Sequence, residues 1–115
     1  MKRALAIVAL FSCFCTLSGG QATPQLQRIE IVAKKFEFSP SEITLAKGQP
    51  VTLVLTSEDV PHGLTIKELN LKAEFKKDKP AEVTFTPAQA GDFVGKCSKF
   101  CGRGHGTMKL RVHVR

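Results

Sequence analysis

The chain has 115 residues, of which 43% are hydrophobic and 23% are charged. This length leaves room for one ordinary domain and excludes barrel enzymes and two-domain nucleotide enzymes, while the composition excludes a disordered or collagen-like chain. The formal net charge is +7, from 17 Lys and Arg against 10 Asp and Glu, so charge alone allows nucleic acid, an anionic membrane or an acidic protein as partner.

The first 22 residues have the order of a secretory signal. Lys2 and Arg3 precede an apolar run over residues 4–14, and small or polar residues follow at 18–22. The run is shorter than the ~20 residues that a membrane-spanning helix needs. We therefore expect a signal peptide at 1–22 and export to the bacterial periplasm or outer cell surface. The alternatives are a lipid anchor at Cys13, because residues 10–13 resemble a lipoprotein box, and an uncleaved anchor helix; either would hold the protein at a membrane.

Residues 23–115 are predicted to form one domain made of short strands. Apolar and β-branched residues alternate with polar ones in runs bounded by Pro, Gly, Ser and Asp. The candidate strands lie around residues 29–33, 43–45, 51–56, 64–66, 83–85, 93 and 110–114. About seven or eight such strands predict an all-β antiparallel sandwich with Greek-key connections. The lysine-rich residues 67–79 indicate a solvated loop with a helical turn or a weak strand.

Metal-binding chemistry is concentrated in residues 97–108, between the last two predicted strands. This loop contains Cys97, Cys101, His105 and Met108. Thiolate and thioether ligands favour Cu(I), and imidazole binds copper in both oxidation states. Three glycines, at 102, 104 and 106, give the backbone the freedom to fold around an ion. His62 lies far upstream in a predicted turn that could reach the same end of the sandwich.

The spacing Cys-x-x-x-Cys-x-x-x-His-x-x-Met and the earlier Asp59-Val60-Pro61-His62 resemble the copper domain of cytochrome c oxidase subunit II, a cupredoxin with a binuclear CuA centre. The resemblance runs from residue 36 to residue 114. It implies that Cys97 and Cys101 bridge two copper ions and that His62 and His105 each bind one of them. It further implies that Met108 and the backbone carbonyl of Lys99 are weak ligands. Many relatives have Glu at the position of Lys99, an exchange that leaves a carbonyl ligand in place.

Several residues have alternative interpretations. Cys97 and Cys101 could form a disulfide in an oxidising compartment, and Met108 could be an ordinary core residue. Asp59 either orients the His62 loop or merely caps a turn, and His113 is interpreted as a solvated strand residue. The family has aromatic residues near its centre for electron transfer, where this chain offers Phe36 and Phe38.

The function that these observations favour is one-electron transfer by bound copper in an exported domain. The alternatives are a copper-binding or copper-delivery protein without redox turnover, and a mononuclear blue-copper carrier that uses His62, Cys101, His105 and Met108. We expect a redox partner such as a cytochrome or a terminal oxidase, and the basic charge favours an acidic one. Nucleic acid is not expected as a partner, because the positive charge is spread along the chain. No nucleophile–base set indicates a hydrolase, so the protein is not expected to be an enzyme by itself. The resemblance to subunit II implies an electron-transfer component of an oxidase-type complex.

The leader generates the first testable prediction. The mature protein should begin near Thr23, because the small residues Gly20 and Ala22 suit a processing site. Mass analysis of the N-terminus of protein purified from its native host measures this directly. An intact Met1 would contradict the prediction, and a lipid on Cys13 would establish the anchored alternative.

Overall fold

The computed structural model describes residues 26–115, which form a sandwich of two β-sheets. The predicted leader at 1–22 and its cleavage point before Thr23 lie outside the described residues. The strands are β1 (Gln27–Lys34), β2 (Glu37–Ser39), β3 (Glu42–Leu45), β4 (Val51–Ser57), β5 (His62–Ile66), β6 (Leu71–Phe75), β7 (Ala81–Phe85), β8 (Gly91–Lys96) and β9 (Lys109–Val114). Between residues 26 and 115, no helix is long and apolar enough to cross a membrane.

The two sheets contain both antiparallel and parallel strand pairs. One sheet has the order β2-β1-β4-β7 and the other the order β3-β9-β8-β5-β6. The all-β sandwich is therefore confirmed, with nine strands instead of the seven or eight expected. The prediction of a purely antiparallel sandwich is wrong at two places, because β1 pairs with β4 and β3 pairs with β9 in parallel. Parallel neighbours need a crossover connection, and here each connection includes at least one strand of the opposite sheet.

The hydrophobic core follows the alternation of side chains along the strands. In β9, Leu110, Val112 and Val114 are fully buried, while Lys109 and Arg111 between them are exposed. β4 differs because nearly all of its residues are buried. It lies between β1 and β7 in the middle of its sheet, so neighbouring side chains cover its outer face as well.

The lysine-rich segment is more ordered than a solvated loop. A short 3-10 turn at Lys67–Leu69 leads into β6, which pairs with β5 along its whole length. Leu71 and Phe75 of β6 are buried in the core, whereas Lys72 and Glu74 point outwards. The weak strand that was one of the two sequence interpretations is therefore present. The lysines lie in the 3-10 turn before it, on its outer side and in the turn after it.

His113 connects three strands on the outer face of the larger sheet. Its Nδ1 lies 2.6 Å from Asp92 Oδ1 on β8, and its Nε2 contacts a carboxylate oxygen of Glu42 on β3. Arg115 also pairs with Asp92, at 3.0 Å. The carboxylates of Asp92 and Glu42 raise the pKa of His113 above its ordinary value of 6.5. The solvated strand residue expected from the sequence is thus a partly buried ion-pair residue.

This cluster generates a pH prediction. A histidine whose pKa is higher in the folded than in the unfolded chain stabilises the fold fully below pH ~6.5 and loses this effect as pH rises through the folded pKa. His113→Gln should therefore lower the thermal midpoint most at pH 5.5–6.5 and progressively less at alkaline pH. Thermal unfolding of both proteins across that range gives the comparison. A deficit of the variant that is the same at every pH would contradict the prediction.

Candidate metal centre

The candidate centre continues the inward-facing rows of three neighbouring strands. His62 is in phase with Leu64 and Ile66 of β5, and Met108 is in phase with Leu110 of β9. Cys97 follows the end of β8 and is the next inward-facing position after Gly95, two residues further along the chain. Because β5 and β9 begin where β8 ends, all three side chains lie at one end of the core. His62 is 0% exposed, and both cysteines and Met108 are also buried.

The residues predicted from the sequence as ligands come together at this end. Cys97 Sγ lies 3.8 Å from Cys101 Sγ and 3.9 Å from His62 Nδ1. On the other side of the sulfur pair, Cys101 Sγ lies 3.8 Å from His105 Nδ1 and 3.9 Å from Met108 Sδ. The Lys99 carbonyl is 3.1 Å from Cys97 Sγ. The donors therefore run in the order imidazole, sulfur, sulfur, imidazole, with one further donor beside each sulfur.

These separations suit shared metal ligands. Two ligands of one tetrahedral ion, held at the usual metal–sulfur and metal–nitrogen distances, lie about 3.5–3.8 Å apart. Ligand atoms of His62, Cys97 and Cys101 all lie within 4.8 Å of one another, and His105 lies outside that group.

The two cysteines are free thiols, so the disulfide interpretation is not the state of this structure. Burial raises the pKa of Cys101, and the neighbouring Cys97 thiol adds to this effect, to about 11; a bound cation would replace the proton.

Asp59 orients the His62 ring. Its Oδ1 lies 2.8 Å from His62 Nε2, and its two oxygens also accept hydrogen bonds from the backbone N–H groups of Lys35 and Val60. Burial raises the pKa of Asp59, but these hydrogen bonds and the His62 ring together outweigh burial and lower it to about 2. The carboxylate therefore accepts a hydrogen bond from Nε2–H, which turns the Nδ1 lone pair toward Cys97. Asp59 thus makes the contacts that both sequence interpretations describe, one with a backbone N–H group of the turn and one with the His62 ring.

Residues 97–108, which carry most of the candidate ligands, form a long connection called the ligand loop below. Strand pairing closes this loop at its base. Lys96 of β8 pairs with Lys109 of β9, and Cys97 N–H donates to the Met108 carbonyl at 3.3 Å. A short 3-10 turn at His105–Thr107 then places His105 above Cys101. Gly102 has a φ of +138°, which residues with side chains rarely adopt. The prediction that glycine frees this backbone is therefore confirmed at Gly102.

The two phenylalanines named from the sequence have different positions. Phe38 is buried in the core, because its side chain points to the inner face of β2. Phe36 packs on the ligand loop at Gly102 and Gly104 and remains 38% exposed. Phe100, which the sequence did not single out, is 77% exposed with its ring 5.8 Å from that of His105. The only feature of the sequence that could have drawn attention to Phe100 is its place between Cys97 and Cys101.

Comparison with known proteins identifies the family. The model of the cupredoxin-like domain family matches residues 3–108. The chain belongs to the cupredoxin-like domain family. It is 27% identical over 95 residues to cytochrome c oxidase subunit 2 of Thermus thermophilus, an alignment that covers 83% of this chain and 70% of that protein. It covers 56% of a second T. thermophilus subunit 2 at the same identity.

Solved structures confirm the fold. The periplasmic domain of cytochrome oxidase subunit II from Bradyrhizobium japonicum superposes with a TM-score of 0.71 at 18% identity, over 77% of this chain and 83% of that one. Auracyanin A, a blue copper protein of Chloroflexus aurantiacus, gives a TM-score of 0.65 at 18% identity, over 79% of this chain and all of that one (100%). The same sandwich is thus shared by an oxidase subunit domain and a blue copper protein, so the fold alone does not distinguish these two classes of protein.

Packing of Phe36 on the loop generates a matched pair of variants. A Cβ on Gly104 would lie 2.4 Å from Phe36 Cγ and Cδ2, whereas a Cβ on Gly106 would meet nothing within 4 Å. Gly104→Ala should therefore lower the free energy of unfolding by about 1–3 kcal/mol, as overpacking does, while Gly106→Ala should change it little. Chemical denaturation measures both. In a Phe36→Ala background the cost of Gly104→Ala should shrink; equal costs in both backgrounds would contradict the packing argument.

Proposed function

We propose that this chain is an exported electron-transfer protein with a binuclear CuA-type copper centre. The observation that carries the proposal is the order of donors, with one imidazole on each side of a pair of sulfurs 3.8 Å apart. A mononuclear blue-copper ion would need only one of these cysteines. A second sulfur between the two imidazoles is what two ions bridged by both thiolates require.

Each proposed ligand has a distinct role. Cys97 and Cys101 would bridge both ions, while His62 and His105 would each bind one. Met108 and the Lys99 carbonyl would act as weak ligands on opposite sides, since they lie beside different sulfurs. Copper bound here would supply one-electron exchange shared across both sulfurs.

The protein around the proposed centre limits rearrangement and excludes water. His62 is held by Asp59, Cys97 by the strand pair at the base of the loop, and Met108 by the core around it. Buried ligands held from three strands keep nearly the same positions in both oxidation states. Small rearrangement lowers the barrier to electron transfer, because little of the surroundings has to reorganise with the charge.

The setting proposed for this activity is the exported side of a cell. Residues 1–22 would be the leader and residues 23–115 the copper domain, in the bacterial periplasm or on the outer surface. The relationship to cytochrome c oxidase subunit 2 supports a role as an electron-transfer component beside a terminal oxidase. The basic charge of the chain supports an acidic redox partner.

Metal stoichiometry and spectroscopy test the proposal. The reconstituted domain should bind two copper ions per chain. Its oxidised form should be purple, with an electron paramagnetic resonance spectrum in which one unpaired electron couples to two copper nuclei. Cys97→Ser should convert the site toward a single-copper type, because His62, Cys101, His105 and Met108 remain. Cys101→Ser should impair binding more, since Cys101 belongs to both types of site.

Other outcomes distinguish the alternatives. One copper per chain, with Cys97→Ser spectroscopically silent, would replace the proposal by a blue-copper carrier. Tight Cu(I) binding without reversible oxidation would indicate a copper-delivery protein. As a control, His113→Gln should leave the copper spectrum unchanged, because His113 contacts Asp92 and Glu42 on the outer face of the sheet.

A further inference from the structure

A basic surface groove lies directly beside the candidate metal centre. Its volume is about 420 Å³. It is formed by the start of β5, the end of β6, the turn that follows β6 and the ligand loop. The lining residues are Pro61, Glu74, Phe75, Lys76, Lys79 and Lys99.

The floor of the groove contacts the ligands themselves. Pro61 precedes His62 in the chain, and the buried Phe75 ring lies 6.3 Å from the His62 ring, centre to centre. Lys99 contributes its side chain to the groove, while its carbonyl lies 3.1 Å from Cys97 Sγ. A molecule seated in the groove would therefore contact Pro61, which adjoins His62 in the chain, and Lys99, whose carbonyl contacts Cys97 Sγ.

The rim of the groove is positively charged. Lys76 and Lys79 face each other across a tight turn closed by two backbone hydrogen bonds, of 3.1 and 2.9 Å. Between residues 26 and 115, no carboxylate lies within ion-pair distance of either ammonium group. Lys99 has one partner, Glu74, at 3.8 Å. Three lysines against one carboxylate leave an excess of positive charge around an apolar floor.

We propose that this groove is the docking site of an acidic redox protein. The inference rests on the proposed function and adds to it the place at which the partner binds. Carboxylates of the partner would pair with Lys76 and Lys79, and an apolar side chain beside them would cover Pro61 and Phe75. In the encounter one electron leaves the reduced partner, which is oxidised, and enters the oxidised copper centre, which is reduced; no bond forms or breaks.

A protein fits this groove better than a small anion. All three lysines are exposed, and a small anion gains little from solvated ammonium groups because water screens them. A protein surface sums many weak attractions, which steer its approach, and also buries the apolar floor. The chain's excess of positive charge acts in the same direction.

Two double variants of equal charge change test the docking site. Lys76→Glu/Lys79→Glu reverses the rim of the groove. Lys47→Glu/Lys67→Glu is the control, because Lys47 and Lys67 are exposed and follow β3 and β5, which both run away from the centre.

Stopped-flow electron transfer would be measured between the copper-loaded protein and an acidic c-type cytochrome, at low and high salt. The groove variant should slow the second-order reaction by roughly tenfold or more at low salt, and the control by less than about threefold. The difference should largely vanish at 1 M salt, where the Debye length is ~3 Å.

Further measurements separate this inference from the proposed function. Copper content and the paramagnetic resonance spectrum of the wild type report on the metal centre alone. Docking is read independently of electron transfer by nuclear magnetic resonance titration of the ¹⁵N-labelled protein with the acidic cytochrome. Shifts should be centred on residues 74–79 and 99 and be lost in the groove variant. Equal slowing in both double variants, shifts centred elsewhere, or the same tenfold slowing with the small anion hexacyanoferrate(II) would overturn the docking proposal.

Discussion

The candidate metal centre depends on the alternation of side chains along three adjacent strands. β5, β8 and β9 lie side by side, and His62, Cys97 and Met108 extend their inward-facing rows. Because the period of a strand is two, a slip of one residue would turn both a ligand and a whole row of core residues toward solvent. The apolar residues of the core therefore enforce the register that the metal site needs. Asp59 and the closed base of the ligand loop then set the remaining degrees of freedom, namely the orientation of the His62 ring and the path of residues 97–108.

The sequence predicted the fold class well and the strand pairing less well. Alternation in residues 110–114 and the apolar, β-branched run at 51–56 were sufficient to indicate strands and a sandwich. β2 was missed because three residues are too few to show a period, and β6 was obscured by its lysines, although Leu71, Ala73 and Phe75 alternate. The parallel pairs could not be predicted locally, because pairing between residues as distant as Glu42 and Arg111 is decided by the packing of the whole sandwich and not by either strand.

The site was predictable to the extent that its chemistry is local. The spacing of Cys97, Cys101, His105 and Met108 in one loop indicated a soft-metal site, and the upstream Asp-Val-Pro-His indicated a further imidazole. The contact between His62 and Cys97 requires β5 to lie beside β8, which no spacing reveals. The same is true of Phe36, which reaches Gly104 from the connection between β1 and β2. Long-range contacts of this kind, together with the surface formed by Pro61, Phe75 and the turn after β6, emerge only once the sheets are assembled.

The position of β9 has a consequence for how the chain folds. Residues 109–114 lie inside the larger sheet, with β3 on one side and β8 on the other. Until this segment has been synthesised, β3 has no neighbour in its sheet and the core lacks Leu110, Val112 and Val114. Contacts between segments so far apart in the chain form slowly. A partly synthesised chain therefore lacks an inner strand of the larger sheet, and it can close around its cysteines only after synthesis has reached the last strand.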